Sequence, residues 1–423
     1  MSEITDIIIN DAFENAQKQI KKSCDLFEKC EVDENIYTIL SHPKRVIEVS
    51  LAIKMDDWKV KIFTWYRSQH NDSRGPFKWW IRFHPEVSKS EVKALSMWMS
   101  FKCAVVDIPL WWAKGWIIVN PKELSLSELE RLSRAYVRAI YKYIWPLQDI
   151  PAPDVNTNSQ IMAWMMDEYS SLVWRYSPWS FTWKPLSSWG SLWRATATAQ
   201  WWLYVLEEIL ELKKDSIKNK KIIIQWAWNA GLTFASLVEK QGWIIVWISD
   251  SKGWIYNENW IDLQKIIDLK KSKKSVVEYK EAKTTTNKEI LELDCDILVP
   301  AALENQILEE NAKKIQAKYI LELANWPTIP KADEILKQRN ITLIPDILAN
   351  AWWVMVSYFE QVQNNTNFYW EEDEIDKKLN KKIKKAAREV FEISKQKNVD
   401  LRSWAYVISI RRIIDAMKDR WEV

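Results

Sequence analysis

The chain has 423 residues, a net charge of +3 and 28% charged residues, which is ordinary for a globular protein. No apolar run approaches the roughly 18 residues that span a membrane, and the polar, acidic start resembles neither a signal peptide nor a transit peptide. The four Cys and three His show no zinc-binding spacing and no disulfide pattern, so we expect no metal site and a reduced, cytoplasmic protein. The chain is longer than a single hydrophobic core usually accommodates, so we expect two domains.

The first half of the sequence mixes predicted helices and strands. Helical periodicity covers Ile4 to Phe27, Ser88 to Cys103 and Ser125 to Tyr143, whereas Arg45 to Met55 and Lys59 to Tyr66 are typical of strands. This mixture predicts an α/β domain.

From about residue 190 the sequence alternates regularly between strands and helical or polar segments. A predicted helix ends at Leu212, and the predicted strands after it are Lys221 to Gln225, Ile244 to Ile248, Ile297 to Val299, Tyr319 to Leu321 and Thr342 to Ile344. Such alternation predicts a parallel sheet with crossover helices. Beyond Ala351 the sequence is mostly helical.

The lysine-rich stretches Lys213 to Lys221 and Lys270 to Lys288 are interpreted as solvated helix ends and loops, so we expect no nucleic-acid and no membrane partner.

The balance of Trp and Gly is abnormal. The chain has 29 Trp and only 6 Gly, whereas glycine usually makes up about 7% of a protein. After the strand that ends at Gln225 the sequence reads Trp226-Ala227-Trp228-Asn229-Ala230-Gly231. With Gly at 226 and 228 this is G-x-G-x-x-G, whose glycines form a tight turn and let the backbone approach a pyrophosphate. An indole would fill that space, so we hypothesise that most Trp codons are UGA codons read as glycine by the source organism.

Four longer blocks carry a resemblance. They are Gly75 to Pro85 (GPFKWWIRFHP), Pro109 to Trp116 (PLWWAKGW), Ile150 to Val155 (IPAPDV) and Ala349 to Val354 (ANAWWV). With Trp read as Gly, they resemble the signature blocks of glutamate dehydrogenase, in the Glu/Leu/Phe/Val amino acid dehydrogenase family, in family order from about residue 30 to the C-terminus. Trp98, Trp164 and Trp370 match aromatic positions of the family. Reading the other Trp residues as Gly would restore a glycine content near 7%.

The resemblance implies an α/β fold with two domains. Residues 1–187 would form a substrate-binding and oligomerisation domain, and 188–352 a Rossmann-type dinucleotide-binding domain with a mostly parallel sheet. The helices of 353–423 would pack back against the first domain. Catalysis would take place in the cleft between the domains, and the family implies a homohexamer.

The resemblance also implies roles for five residues. Lys114 matches the general base, whose pKa burial and a neighbouring lysine would lower toward neutrality, and Asp154 matches the aspartate that transfers protons. Lys102 matches the lysine that binds the α-carboxylate, and Lys78 the lysine that binds a side-chain carboxylate. Ser357 matches the serine of the glutamate enzymes. With Lys78 it favours a γ-carboxylate over the apolar side chains of leucine, valine or phenylalanine.

Each of these residues also has a purely structural interpretation. Without the resemblance, the three lysines would be exposed surface residues. Asp154 would be the N-cap of a helix beginning at Val155. Ser357 would be a helix serine that hydrogen-bonds to its own backbone.

The cofactor is expected to be NAD or NADP. Asp250, at the end of a strand, suits the ribose 2′-OH of NAD, although such an acid is also common in turns, and Ser251 and Lys252 could accept the 2′-phosphate of NADP. The sequence leans slightly to NAD. The other expected cofactor-binding positions are Thr198, Trp226, Trp228, Asn229, Ala230, Gly231, Asn325 and Asn350, of which Asn229 and Asn325 could be simple turn residues.

The sequence therefore predicts an NAD(P)-dependent enzyme that deaminates L-glutamate reversibly to 2-oxoglutarate and ammonia. One alternative is a dehydrogenase of a branched-chain or aromatic amino acid. If the Trp residues are genuine, the alternatives are an inactive relative or a tryptophan-rich binding protein that stacks its indoles on sugars or bases.

Overall fold

The structure is a computed structural model, and it divides the chain into two compact units. The first comprises Met1–Leu192, Val354–Ile375 and Tyr406–Val423, and the second comprises Trp193–Trp353 and Asp376–Ala405. The residues that it describes are 12–26, 34–86, 88–145, 147–192, 197–216, 218–225, 229–250, 252–285, 291–301 and 304–420.

The first unit contains a mixed sheet of five strands in the order β1-β2-β4-β3-β5. Its strands are β1 (Arg45–Lys54), β2 (Val60–Gln69), β3 (Phe77–His84), β4 (Trp111–Ile118) and β5 (Asp149–Pro153). The β1–β2 and β2–β4 pairs are antiparallel, whereas β3 lies parallel between β4 and β5. The carboxyl ends of β3, β4 and β5 therefore meet at one edge, where a parallel sheet presents functional side chains.

The second unit contains a sheet of seven strands in the order β12-β11-β10-β6-β7-β8-β9. Its strands are β6 (Lys221–Gln225), β7 (Ile244–Asp250), β8 (Gly253–Tyr256), β9 (Lys283–Thr285), β10 (Ile297–Pro300), β11 (Tyr319–Leu321) and β12 (Thr342–Ile344). The strands from β12 to β7 are parallel, which confirms the five predicted strands and the mostly parallel sheet. Two short antiparallel strands, β8 and β9, extend it at the β7 edge; the sequence did not predict them.

Fourteen α-helices in the described residues accompany the sheets. They are α1 (Ala12–Cys24), α2 (Glu34–Leu40), α3 (Lys89–Val105), α4 (Leu126–Ile140), α5 (Ser159–Leu172), α6 (Ala197–Leu212), α7 (Asn229–Lys240), α8 (Leu263–Lys271), α9 (Glu309–Ala312), α10 (Pro330–Gln338), α11 (Asp346–Ala349), α12 (Trp352–Thr366), α13 (Glu372–Lys397) and α14 (Leu401–Asp419). Over the part of the chain given above, none of them is long and apolar enough to cross a membrane.

Local sequence explains where two of the helices begin. Ser88 caps α3 by accepting a hydrogen bond from the backbone N–H of Glu91, and Ser125 and Glu128 form a reciprocal capping box at the start of α4. Each cap satisfies backbone N–H groups that have no partner within the helix. The predicted helix starts at Ser88 and Ser125 are thus the capping residues themselves.

Candidate functional site

Lys114 and Asp154 meet on the sheet of the first unit. Lys114 lies on β4 and is paired in register with Trp80 of β3, while Asp154 directly follows β5 on the other side of β3. The Lys114 ammonium donates a hydrogen bond to Asp154 Oδ2, and Arg82 Nε donates to the same oxygen over 3.2 Å. One carboxylate, at the carboxyl end of β5, therefore holds a cation from β4 and another from β3.

The charges of this cluster are set by burial and by mutual attraction. Burial lowers the pKa of Lys114 to about 8, although Asp154 opposes the shift, and the positive charge of Arg82 adds to it. The neighbouring cation is thus Arg82, which corrects the expectation of a second lysine. Burial alone would raise the pKa of Asp154, but Lys114 and Arg82 outweigh it and hold that pKa well below its ordinary value. The result is an amine that titrates near neutrality beside a carboxylate that stays ionised.

Lys78 lies on β3, two residues before Trp80, and is completely buried. Because side chains alternate along a strand, Lys78 shares a face with Trp80 and with the register partner of Trp80, Lys114. Its ammonium donates to the carbonyl oxygens of Ile150 (3.1 Å) and Pro151 (3.3 Å).

A hydroxyl pair completes the surroundings of Lys78. The Lys78 ammonium also donates to the hydroxyl of Thr182, and Thr182 Oγ1 lies 3.3 Å from Ser357 Oγ of α12. Burial lowers the pKa of Lys78 well below its ordinary value, although the carboxylate of Glu360 opposes the shift. Lys78, Thr182 and Ser357 thus form one buried polar cluster that a carboxylate could join.

Lys102 lies in α3, close to its carboxyl end, and is 3% exposed. The helix covers the same face of the sheet as Lys78 and Lys114, because Ser68, the register partner of Lys114, hydrogen-bonds to Ser96 of α3 over 2.8 Å. All three predicted lysines are therefore associated with one face of this sheet.

The structural interpretations of these residues do not hold. Lys78, Lys102 and Lys114 are 0%, 3% and 4% exposed, so none of them is a surface lysine. The helix after Asp154 begins at Ser159 and is capped by Asn158, so Asp154 is not an N-cap. Ser357 is hydrogen-bonded to Thr182 and to the indole of Trp183, which are distant in sequence.

Part of the predicted cofactor-binding set lies at the carboxyl edge of the seven-stranded sheet. Asn325 follows β11 and Asn350 follows β12, and Asn350 Nδ2 donates to Asn325 Oδ1 and to Leu323 O, both over 3.3 Å. Gly231 lies in the first turn of α7, which follows β6. The strand order places a topological switch point between β6 and β10, where open α/β sheets bind their ligands.

The structure does not describe the side chains of the other predicted cofactor-binding residues named below. Trp226, Trp228 and Ser251 lie outside the described residues, and only the backbone of Thr198, Asn229 and Ala230 is described.

The Asp250 carboxylate is already occupied by hydrogen bonds from other groups of this chain. It is 2% exposed and accepts hydrogen bonds from the backbone N–H groups of Lys252 (2.9 Å) and Val276 (3.0 Å), the Ser275 hydroxyl (3.0 Å) and Lys270 Nζ (2.8 Å). These four bonds favour the structural interpretation of this strand-end acid over ribose binding.

Two models of known protein families match most of the chain. Residues 190–420 match the family model described as Glutamate/Leucine/Phenylalanine/Valine dehydrogenase, and residues 43–171 match the Glu/Leu/Phe/Val dehydrogenase dimerisation domain. The chain belongs to the Glu/Leu/Phe/Val dehydrogenase family.

Members of the family resemble the chain over almost its whole length. It is 46% identical over 388 residues to the NAD-specific glutamate dehydrogenase of Staphylococcus aureus (strain COL), covering 92% of this chain and 94% of that protein. It is 45% identical over 413 residues to the cryptic catabolic NAD-specific glutamate dehydrogenase GudB of Bacillus subtilis, covering 97% and 96%. Among solved structures, the glutamate dehydrogenase of Peptoniphilus asaccharolyticus superposes with a TM-score of 0.87 at 40% identity, covering 98% of this chain and 100% of that one.

Sequence reasoning assigned no role to four residues that complete the polar clusters. Arg82 was visible inside the first signature block, but the block alone does not say which way its side chain points. Thr182 and Lys184 lie in a segment with no recognisable periodicity. Glu360 follows Ser357 by three residues, so helical spacing, which places such residues on the same side, was the one available signal.

Proposed function

We propose that this member of the Glu/Leu/Phe/Val dehydrogenase family is an NAD(P)-dependent glutamate dehydrogenase, which converts L-glutamate reversibly to 2-oxoglutarate and ammonia. The observation that carries the proposal is the combination of the Lys114–Asp154–Arg82 cluster with the buried Lys78–Thr182–Ser357 cluster. The similarity of the chain to enzymes named NAD-specific glutamate dehydrogenases, at 45–46% identity, also supports the proposal. The same relatives favour NAD as the cofactor.

The cluster around Lys114 suits the hydrolytic half of the reaction. An amine with a pKa of about 8 is partly unprotonated near neutrality, as a general base requires, and it would activate the water that attacks the iminium carbon. Asp154 stays ionised and would pass a proton to or from the substrate nitrogen. A dinucleotide at the carboxyl edge of the seven-stranded sheet, where Gly231, Asn325 and Asn350 lie, would accept the hydride. Lys102 would hold the substrate α-carboxylate.

The cluster around Lys78 suits a substrate with a side-chain carboxylate. A γ-carboxylate beside the buried ammonium would supply the counter-charge that Lys78 needs, and the hydroxyls of Thr182 and Ser357 would donate to it. An apolar side chain would leave these polar groups without compensation, and sites of this kind reject such analogues strongly. This favours glutamate over leucine, valine or phenylalanine.

We also infer that most Trp residues stand where the native protein has glycine. Within the described part of the chain, five Trp residues have positive φ angles: Trp58 (70°), Trp174 (54°), Trp183 (66°), Trp189 (62°) and Trp326 (51°). Glycine adopts this conformation readily and side chains with a Cβ do so at a cost. The three Trp residues that match aromatic family positions are absent from this set, which supports separating them from the others.

Buried indole groups also support glycine at most of the Trp positions. Seven indole N–H groups are buried without a hydrogen-bond acceptor among the described residues, namely those of Trp111, Trp116, Trp201, Trp202, Trp243, Trp247 and Trp404. Native proteins rarely bury unsatisfied donors in such numbers. Beside Lys78, the rings of Trp80 and Trp183 lie 6.0 Å apart and occupy space that the substrate side chain would need. Glycine at these positions would remove both problems.

Expressing the protein in two forms tests both inferences. The tryptophan form has the printed sequence, and the glycine form keeps only Trp98, Trp164 and Trp370. We expect the glycine form to bind NADH and to oxidise glutamate much faster than leucine, and the tryptophan form to do neither. A preference for leucine would contradict the substrate assignment. TGG codons at 226 and 228, or equal NADH binding by both forms, would contradict the glycine assignment.

We further propose a homo-oligomer with six subunits in the cytoplasm. The match of residues 43–171 to a dimerisation domain supports self-association, and one structural neighbour, from Thermus thermophilus, is described as a hetero-hexameric glutamate dehydrogenase. The buried free thiols of Cys24, Cys103 and Cys295 suit a reducing compartment.

A further inference from the structure

A buried ion pair lies behind the Lys78 cluster and has no role in the proposed chemistry. Lys184 Nζ and Glu360 Oε1 are 2.7 Å apart, and their side chains are 0% and 1% exposed. The Lys184 ammonium also donates to the carbonyl oxygen of Phe181 over 2.6 Å. Burying two charges costs free energy that their attraction often fails to repay, so stability alone is a weak reason for this pair.

The Glu360 carboxylate also binds the backbone of the same segment. Its Oε2 accepts the N–H of Trp183 over 2.7 Å, and its Oε1 accepts the N–H of Lys184 at 3.5 Å. Together with the ion pair, these bonds attach residues 181–184 to α12 through one side chain. We name these residues the 181–184 segment.

This attachment fixes the groups that surround Lys78. Ser357 precedes Glu360 by three residues on α12, so both side chains lie on one side of that helix. Thr182 belongs to the 181–184 segment and contacts both the Lys78 ammonium and the Ser357 hydroxyl. The relative positions of the Thr182 and Ser357 hydroxyls therefore depend on Glu360, which itself contacts neither hydroxyl.

We propose that Glu360, together with Lys184, is a positioning residue for recognition of the substrate side-chain carboxylate. It holds the Thr182 and Ser357 hydroxyls at the spacing that a γ-carboxylate on Lys78 requires, and it does not touch the substrate. The proposal rests on the glutamate dehydrogenase activity proposed above. Lys78, Thr182 and Ser357 would thus bind the γ-carboxylate, and the Lys184–Glu360 ion pair would align the two hydroxyls.

The test compares two substrates in the glycine form and in its Glu360→Gln variant. Glutamate carries the γ-carboxylate, whereas 2-aminopentanoate has the same α-groups and an apolar side chain. We expect KM for glutamate to rise about tenfold, the factor for losing roughly one charged hydrogen bond, with kcat little changed. kcat/KM for 2-aminopentanoate should change less than about twofold, because that substrate does not use the hydroxyls.

Glu208→Gln is the matched control. Glu208 is 1% exposed and pairs with Arg388 over 2.7 Å in the second unit, so the same substitution removes a buried carboxylate elsewhere. We expect it to leave the ratio of the two substrates unchanged, whatever it does to the melting temperature. Equal losses for both substrates in Glu360→Gln would show a merely structural role and overturn the proposal.

A second variant keeps the test decisive if Glu360→Gln does not fold. Lys184→Gln leaves the carboxylate and its two backbone bonds in place, so we expect a smaller rise in KM that is again confined to glutamate. Unchanged kinetics, or equal losses for both substrates, would overturn the proposal. Failure of the proposed function is distinguishable, because the unsubstituted glycine form would then not prefer glutamate to 2-aminopentanoate.

Discussion

At the scale of single residues, chemistry depends on which charges are buried together. Lys114 lies beside the Asp154 carboxylate and the Arg82 guanidinium, and Asp154 contacts both cations. Burial and Arg82 lower the pKa of Lys114 while Asp154 raises it, which leaves it at about 8. A lysine near its pKa can both take up and release a proton, so the cluster could assist the reaction in either direction.

Replacing Lys114 tests its role directly. We expect Lys114→Ala in the glycine form to lower kcat for glutamate oxidation by on the order of 10²–10⁴, the usual contribution of a general base. The variant should still fold and bind NADH, although its melting temperature should fall because Asp154 loses a buried partner. Lys122→Ala, which alters an exposed lysine, should leave kcat as it is. Near-normal turnover in Lys114→Ala would refute the assignment.

The Arg82 charge should set the pH range of activity. Below a pKa of about 8 Lys114 is protonated and cannot accept a proton, so kcat/KM for glutamate oxidation should rise with pH and level off above that value. Arg82→Gln removes the positive charge that lowers this pKa, and the rise should therefore move to higher pH. A pH profile of kcat/KM measures this shift.

Arg138→Gln is the corresponding control for that profile. The exposed side chain of Arg138 pairs with Glu168. Neither residue is among the charges that shift the pKa of Lys114, so the substitution should leave the pH profile unchanged. A profile of Arg82→Gln that coincided with that of the unsubstituted protein would show that another group titrates.

At the scale of elements, sequence patterns located the regular strands and two helix caps but missed the edge of the second sheet. β6, β11 and β12 have the predicted bounds, because each is a short apolar run bounded by polar residues. β8 and β9 have four and three residues; β8 begins at Gly253, a residue typical of turns, and β9 (KTT) is polar throughout. They form because β7 offers an unpaired edge and because the Asp250 carboxylate fixes the segment around Ser275.

Asp250 should therefore stabilise this edge. We expect Asp250→Asn to lower the free energy of unfolding by about 1–3 kcal/mol, because buried hydrogen bonds to a charged carboxylate are lost. Urea denaturation measures the change, and Asp268→Asn, at a 61% exposed side chain, is the control. Unchanged stability would contradict the structural role. KM for NAD measured in the same variant tests the ribose-binding alternative separately.

At the scale of the whole molecule, the chain returns twice to the first compact unit and once to the second. The sequence predicted a helical tail, and the structure divides it: Val354–Ile375 and Tyr406–Val423 belong to the first unit, and Asp376–Ala405 to the second. The division follows contacts between distant residues, such as Arg388 with Glu208 in the second unit and Ser409 with Phe101 in the first. No local pattern encodes such contacts.

The proposed assembly is also a property of the whole molecule. We expect the glycine form to elute as a particle of six chain masses in size-exclusion chromatography with light scattering. If the tryptophan form places indoles where close backbone packing is needed, it should assemble less completely. A monomeric glycine form would contradict the hexamer.

The sequence by itself determined the family, the α/β class, the parallel sheet and the candidate lysines, because strand periodicity and signature blocks are local patterns. It also exposed the conflict between Trp and Gly, which composition alone makes visible. Only the tertiary structure decided which charges share a site. Arg82 beside Asp154, Thr182 beside Lys78, and Glu360 behind Ser357 come together through strand register and helix packing. Burial and charge pairing, which set their pKa values and hydrogen bonds, exist only after those distant segments meet.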